Sequence, residues 1–338
     1  MKSVLFVRLS AMGDLVQGLG AIAALGRARP EWRLTVLTQR PFLPLLAGAE
    51  GVTEAIGFDR RGGVRAVRDV RRELRRRRFD VAVDLQGNWK SALLTRLSGS
   101  REAIGAAAAW RREPSSRRLL GRTVEIGGVA HPARVAWRLA QELVPGLPFE
   151  HPRLVATAAE CDLETERLRL IGIDPARPFR VFVVTDPVDP RALRAEVVAR
   201  EADASMPALL LLGPDEADYV PRGGAPILRH ARGEIRQLIA LGACVAAAGG
   251  EVVGPDQGAT HVLAAAGARC DVRFGPQDPR RTAPPAGRLL VAPSGPTCRP
   301  CSRRTCDHPD GPVCMRFGAE DGVLASADLP PVGAVAEA

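Results

Sequence analysis

Hydrophobic and polar positions follow two alternating rhythms along the first half of the chain. Ser3–Arg8 (SVLFVR) is a short, nearly unbroken apolar run, as expected of a strand buried on both faces. A loop carrying Gly13 follows, then Leu15, Leu19 and Ile22 at helical spacing. Leu34–Thr38 predicts the next strand and Val52–Phe58 a third. Val64–Arg78 predicts a basic amphipathic helix, with Val67, Val70 and Leu74 on one stripe. Val81–Leu85 and Trp89–Leu97 predict a further strand and helix. Strands that alternate with helices in this way predict a parallel sheet covered by helices.

Three prolines and a glycine break the pattern over Val144–Pro152, which predicts a linker and two domains, 1–150 and 151–338. A helix over Cys161–Leu170 is expected next. A second α/β series begins at Phe179–Val184 and continues with a strand at Ala208–Leu212 and a helix at Ile235–Ala247. Val252–Gly267 reads as strand, turn and helix. Two consecutive α/β domains predict a bilobed enzyme with its site in a cleft, near the carboxyl ends of the strands.

Composition narrows the class. With 338 residues, 46% of them hydrophobic, two domains can each bury a core. No apolar run approaches the ~20 residues of a membrane span. Met1–Leu9 reads as a strand and lacks the marks of a signal peptide, so a cytoplasmic location is expected. The net charge is +9, carried almost wholly by arginine, because Lys2 and Lys90 are the only lysines. That charge reads either as a solvated surface or as attraction to an anionic inner-membrane face or a phosphorylated lipid acceptor. Few aromatics and no recognition-helix or RNA-binding motif argue against a nucleic-acid partner.

Of the seven cysteines, Cys161, Cys244 and Cys270 lie among apolar residues and read as core thiols. Cys298, Cys301, Cys306 and Cys314 have C-x2-C-x4-C-x7-C spacing. Three readings stand for these four: a tetrahedral structural metal, reduced thiols, or a disulfide.

Several segments carry chemistry. In FVRLSAMGDLVQGLGAIAAL, Asp14 stands at a helix start, either as a cap or as a general base. FDVAVDLQGNWKSALLTRLSGSREAIG holds Gln86 and Lys90; the lysine is a surface residue or an anion contact. In GPDQGATHVLAAAG, Asp256, Gln257 and Gly258 form a turn before a helix, whose backbone N–H groups suit a diphosphate. Gly258 allows close approach and His261 reaches the same place; the alternative is that Asp256 caps the helix and His261 packs on it. LLLLGPDEADY ends in the acids Asp215 and Glu216. FGPQDPRR and CRPCSRRTCDHPDGPVCM complete the set.

Taken in order, these segments resemble glycosyltransferase family 9, and they span residues 3 to about 315. The resemblance implies a GT-B architecture, two facing Rossmann-like domains with a cleft between them. It implies an inverting transfer of heptose, or a related sugar, from an ADP-sugar to a lipopolysaccharide-core or lipid-linked acceptor, with no metal or other cofactor in the transfer. Asp14 would be the base. Thr185, Arg191, Glu216, Asp256, Gln257, Gly258 and His261 would hold the donor in the C-terminal domain. Arg8, Gln86 and Lys90 would face the acceptor in the N-terminal domain. One element departs from the family: its Ser/Thr-rich loop with a lysine and a Trp-Pro pair is VVTDPVDPRALRAEVV here. Arg191 or Arg194 could then supply the positive charge, beside Asp186 and Asp189. Two alternatives remain, a non-catalytic nucleotide-sugar binder of the same fold and another two-lobed nucleotide-sugar enzyme such as an epimerase.

Overall fold

In a computed structural model the four strands expected in the first half are joined by two more, and all six run parallel. The structure describes residues 1–128, 130–186, 188–193, 197–198, 206–216, 225–231, 233–284, 288–291, 296–303, 305–317 and 323–324. The strands are β1 (Ser3–Val7), β2 (Arg33–Gln39), β3 (Glu54–Phe58), β4 (Val81–Asp84), β5 (Glu102–Ala106) and β6 (Arg122–Val124). Their order is β3-β2-β1-β4-β5-β6, with Val4 opposite Leu34 on one side and Val81 on the other. Helices on both faces leave β1 and β4 no wet side, which is why their sequences do not alternate.

Four helices of this unit matter here: α1 (Met12–Ala28), α2 (Gly63–Arg77), α3 (Trp89–Leu97) and α4 (Pro132–Gln141). The Leu15–Leu19–Ile22 stripe of α1 is buried as expected. On α2, Val70 and Leu74 join a core with Leu5, Val7 and Phe79, while the arginines at 71, 72, 75, 76 and 78 are exposed. Full burial of a leucine such as Leu74 contributes about 2 kcal/mol.

The second series repeats the plan. Its strands are β7 (Arg180–Val184), β8 (Ala208–Leu212), β9 (Ile227–Arg229), β10 (Glu251–Pro255), β11 (Arg269–Phe274), β12 (Arg288–Val291) and β13 (Val323–Leu324). The order is β13-β12-β11-β10-β7-β8-β9; all pairs are parallel except β12–β13. Its principal helices are α5 (Ala158–Leu170), α6 (Ile235–Ala247) and α7 (Gly258–Ala265). The chain divides into two units, Met1–Arg153 and Leu154–Pro331. Among the described residues no helix is long and apolar enough to cross a membrane.

Helix α5 begins at Ala158, three residues before the apolar pattern suggests. A capping box extends it: Thr157 Oγ1 accepts from the Glu160 N–H at 3.3 Å and Glu160 accepts from the Thr157 N–H at 2.8 Å. Arg236 of α6 donates to both Glu160 oxygens, at 2.7 and 2.6 Å. Those Arg236 bonds, and the Thr157 backbone bond, outweigh burial and bring the Glu160 carboxyl down to about 2. A depressed carboxylate adds stability above its unfolded value and loses it as pH falls towards the folded one. Glu160→Gln is therefore expected to cost about 1 kcal/mol at pH 7. In urea titrations the difference from the parent should shrink as the pH falls from 4.5 towards about 2. A difference independent of pH would remove the ionic part of this account.

Candidate functional site

In both sheets strand order reverses once, between β1 and β4 and between β7 and β10. At such a reversal the loops leaving the two carboxyl ends diverge, and the crevice they leave is where open α/β sheets bind ligands. The expected site residues fall at these two places, and each is described within its own unit.

At the first reversal, Arg8 follows β1 directly and is buried, 8% exposed. Its guanidinium donates to the Leu85 carbonyl and forms an ion pair with Asp14. Asp14 is not the helix cap. The N-cap of α1 is Ala11, and Asp14, three residues on, accepts from the Ala11 N–H at 3.2 Å. Its side chain keeps 28% exposure. Gln86, just past β4, accepts from the Leu9 N–H at 2.7 Å and donates to Ser10 Oγ at 3.3 Å. Both ends of its amide thus hold the β1–α1 loop, which Gln39 also grips through the Leu9 carbonyl at 2.8 Å. Lys90 is exposed on the first turn of α3, which Asn88 caps through the Ser91 N–H at 2.9 Å.

Beneath this loop lies a pair that the sequence reading did not single out. Asp84 and Arg111 meet at 2.6 Å with neither side chain exposed to any extent, 0% each. Asp84 also accepts from the N–H groups of Gln86 and Gly87, at 3.0 and 3.1 Å. Gly87 has φ +73° with the Arg111 backbone close by, a conformation open to glycine. The Asp-Leu-Gln-Gly turn is therefore a carboxylate-centred knot that aims Gln86.

At the second reversal, Thr185 follows β7, 3% exposed, with an enclosed hydroxyl that has no hydrogen-bond partner among the described residues. Arg191 grips Asp189 with Nε at 3.0 Å and a terminal nitrogen at 2.6 Å, and donates to the Asp256 carbonyl at 3.3 Å. The Asp189 bond raises the Arg191 guanidinium against burial. Burial alone would raise the Asp189 carboxyl, yet Arg191 holds it below the usual range.

Asp256 does not cap α7. Gln257 is the N-cap residue, in extended conformation, and Asp256 meets His261 Nε2 at 2.9 Å. Gln257 donates to Asp189 at 3.4 Å, and Gly258 opens the helix. Thus Asp189 joins Arg191 and Gln257, Arg191 links them to the Asp256 carbonyl, and Asp256 brings in His261; Glu216 lies near enough to act on Arg191 electrostatically. Arg194 and the side chain of Asp215 lie outside the described residues.

The four clustered cysteines line one cavity of about 250 Å³, with His308 and Asp307. All are free thiols, and among the described residues no group of three His, Cys, Asp or Glu side chains is placed to hold a metal ion. Cys314 is pushed up to about 11 by burial and by the neighbouring sulfurs.

Comparisons follow from this geometry. The profile of glycosyltransferase family 9 (heptosyltransferase) matches residues 67–163. Lipopolysaccharide heptosyltransferase 1 of Pseudomonas aeruginosa is 27% identical, over 90% of this chain and 87% of that protein. A family 9 glycosyltransferase structure from Veillonella parvula superposes with a TM-score of 0.73 at 16% identity, covering 86% of this chain and 85% of that one. E. coli heptosyltransferase WaaC with ADP-2-deoxy-2-fluoro heptose gives 0.66 at 21%, covering 86% and 93%. These likenesses carry the GT-B fold class that the sequence resemblance implies.

The buried pair gives a test of the knot. Arg111→Met strands the Asp84 carboxylate and is expected to cost about 3 kcal/mol, the lower end for a broken buried pair because two backbone N–H groups remain. Asp84→Asn combined with Arg111→Met should recover most of that loss in a denaturant double-mutant cycle. Additive losses would mean that the two side chains act separately.

Proposed function

We propose that this chain, which belongs to glycosyltransferase family 9, is an inverting transferase. It moves heptose, or a related sugar, from an ADP-sugar to a lipopolysaccharide-core or lipid-linked acceptor. The similarity to the Pseudomonas aeruginosa heptosyltransferase and to the E. coli enzyme seen with an ADP-heptose analogue supports that donor and acceptor. The observation that carries the reading is Asp14, a partly exposed carboxylate fixed by Arg8 and the Ala11 N–H at a strand-order reversal. Asp14 takes the proton of the acceptor hydroxyl. The hydroxyl oxygen then bonds to the anomeric carbon as the bond to the diphosphate oxygen breaks, and ADP leaves with inversion.

On this reading the N-terminal unit, residues 1–150, faces the acceptor, with Gln86 positioning the Arg8–Asp14 loop and Lys90 as an outer anion contact. The C-terminal unit, from residue 151, takes the donor. The α7 N-terminus at Gly258 receives the diphosphate, with His261, Gln257 and the Thr185 hydroxyl beside it. Glu216 and Asp256 frame the network, and Arg191 supplies charge. The alternative, a nucleotide-sugar binder without turnover, draws support from one observation: Asp189 already neutralises Arg191.

Asp14→Asn is expected to lower transfer from ADP-heptose by roughly two orders of magnitude or more. The fold should stay within ~1 kcal/mol of the parent, and the thermal shift given by ADP should be unchanged. More than about a tenth of the rate remaining would return Asp14 to a structural role. A larger shift with UDP than with ADP would overturn the donor, and ADP binding without turnover on any acceptor would favour the alternative.

The reading also places the enzyme in the cytoplasm, resting on an anionic inner-membrane face through the exposed α2 arginines. Arg77 is excluded from that surface, since Glu54 and Glu73 hold it. Replacing Arg71, Arg72, Arg75 and Arg76 with Gln should sharply reduce co-sedimentation with anionic vesicles at low salt and leave the ADP shift unchanged. Equal sedimentation of parent and variant would leave a solvated face.

A further inference from the structure

The carboxyl edge of the first sheet holds a third buried arginine, in a different electrostatic situation from the ion-paired Arg8 and Arg111. Arg134, on the first turn of α4, is 7% exposed. It has neither an ion pair nor a hydrogen bond to any described group, and its Nε is enclosed without a partner. Burial, and then Arg138, push its guanidinium down from the ordinary arginine value. Removing a cation from water without a counter-charge is costly, so folded proteins seldom keep one without a use.

Nearby acids do not supply the counter-charge. Glu142, the residue that caps the end of α4, is held by Arg122 at 2.6 Å and by Arg138 at 3.5 Å. His131, the N-cap of α4, accepts from the Ala133 N–H at 3.2 Å through Nδ1. The start of α4 adds the positive end of a helix dipole.

The guanidinium is enclosed on one side and reachable on the other. Its terminal nitrogens lie against Gly127 and Gly128, which are exposed and have φ of +72° and +57°. A Cβ on Gly128 would sit 2.9 Å from one of these nitrogens. The absence of side chains there leaves the guanidinium fork open. Trp110 Nε1 holds the loop by donating to the Gly128 carbonyl at 3.0 Å.

Topology sets where this fork sits. The Gly127–Gly128 loop leaves β6, and Asp14 stands on the helix that follows β1; the strands of this sheet are all parallel. Both loops therefore emerge at the same edge, and α1 and α4 pack side by side, with Gly18 of α1 against Ala136.

We propose that Arg134 is an anion-binding residue that receives a phosphate or carboxylate carried by the acceptor, through the open face over Gly127–Gly128. A bidentate arginine fork suits either group. The acceptor's part in this rests on the transferase reading above; the anion site itself does not.

The test uses the full chain with saturating ADP, so that the nucleotide site is filled. Inorganic phosphate and acetate are titrated separately at constant ionic strength against the parent, Arg134→Gln and Arg134→Lys, and melting temperature is followed. Phosphate or acetate should raise it in the parent, less in the lysine variant, and not in the glutamine variant; the stronger anion identifies the class. Without added anion, Arg134→Gln should melt no lower than the parent, because it removes an uncompensated charge. In transfer assays it should raise the acceptor Michaelis constant about tenfold or more with kcat little changed.

The anion site is overturned if all three proteins respond alike, if chloride gives the same shift, or if Arg134→Gln melts well below the parent. An anion response confined to the parent and the lysine variant, in a protein that transfers no sugar, keeps the site and removes the transferase reading. Transfer with an unchanged acceptor Michaelis constant in Arg134→Gln overturns the acceptor assignment.

Discussion

Right-handed crossovers force the chain to lay helices on opposite faces of a parallel sheet whenever strand order changes direction. That constraint acts at β1/β4 and again at β7/β10. At each place the two outgoing loops lead to helices on opposite faces of the sheet, and a crevice opens between them. Polar side chains gather there. Arg8, Asp14 and Gln86 flank the first reversal; Thr185, Asp256 and His261 flank the second.

Loops beside such gaps need stiffening from within, and charge does that work in this chain. Asp84 and Arg111 close the turn after β4 with no exposure, and each remaining Asp84 bond goes to backbone N–H. Gln86 then has a fixed origin from which both ends of its amide reach the neighbouring loop. Asp189 plays the same part after β7, where it collects Arg191 and Gln257.

The strands nearest each reversal were plain in the sequence because they are buried on both faces: SVLFVR, VAVDL and FVV are nearly unbroken apolar runs, with polar residues only at or near their ends. Among the outer strands β3 was legible too, but others were not. β6 and β9 are three residues each, too short to show any period. β11 (RCDVRF) hides its burial, because Asp271 and Arg273 are 6% exposed within it. Site residues were visible as motifs, yet their local partners were not. Asp14 and Asp256 look like caps in one dimension, and only the geometry shows Ala11 and Gln257 in those positions. Arg111 and Arg134 look alike in sequence, and their opposite electrostatic situations depend on what the fold brings beside them.

Asp189 has a further effect. Its carboxylate occupies the guanidinium face of Arg191 that would otherwise meet an incoming anion. An anion arriving there enters by exchange, displacing one negative group with another. A bare cation draws its ligand through a long-range field that salt screens, whereas an exchange begins and ends with a compensated pair. On the proposed reading, capture of the donor at this loop is thus governed by contact geometry, because Asp189 must give way. On that reading the arginine is a latch with its own resident tongue, selective for groups that offer a better fork than a carboxylate.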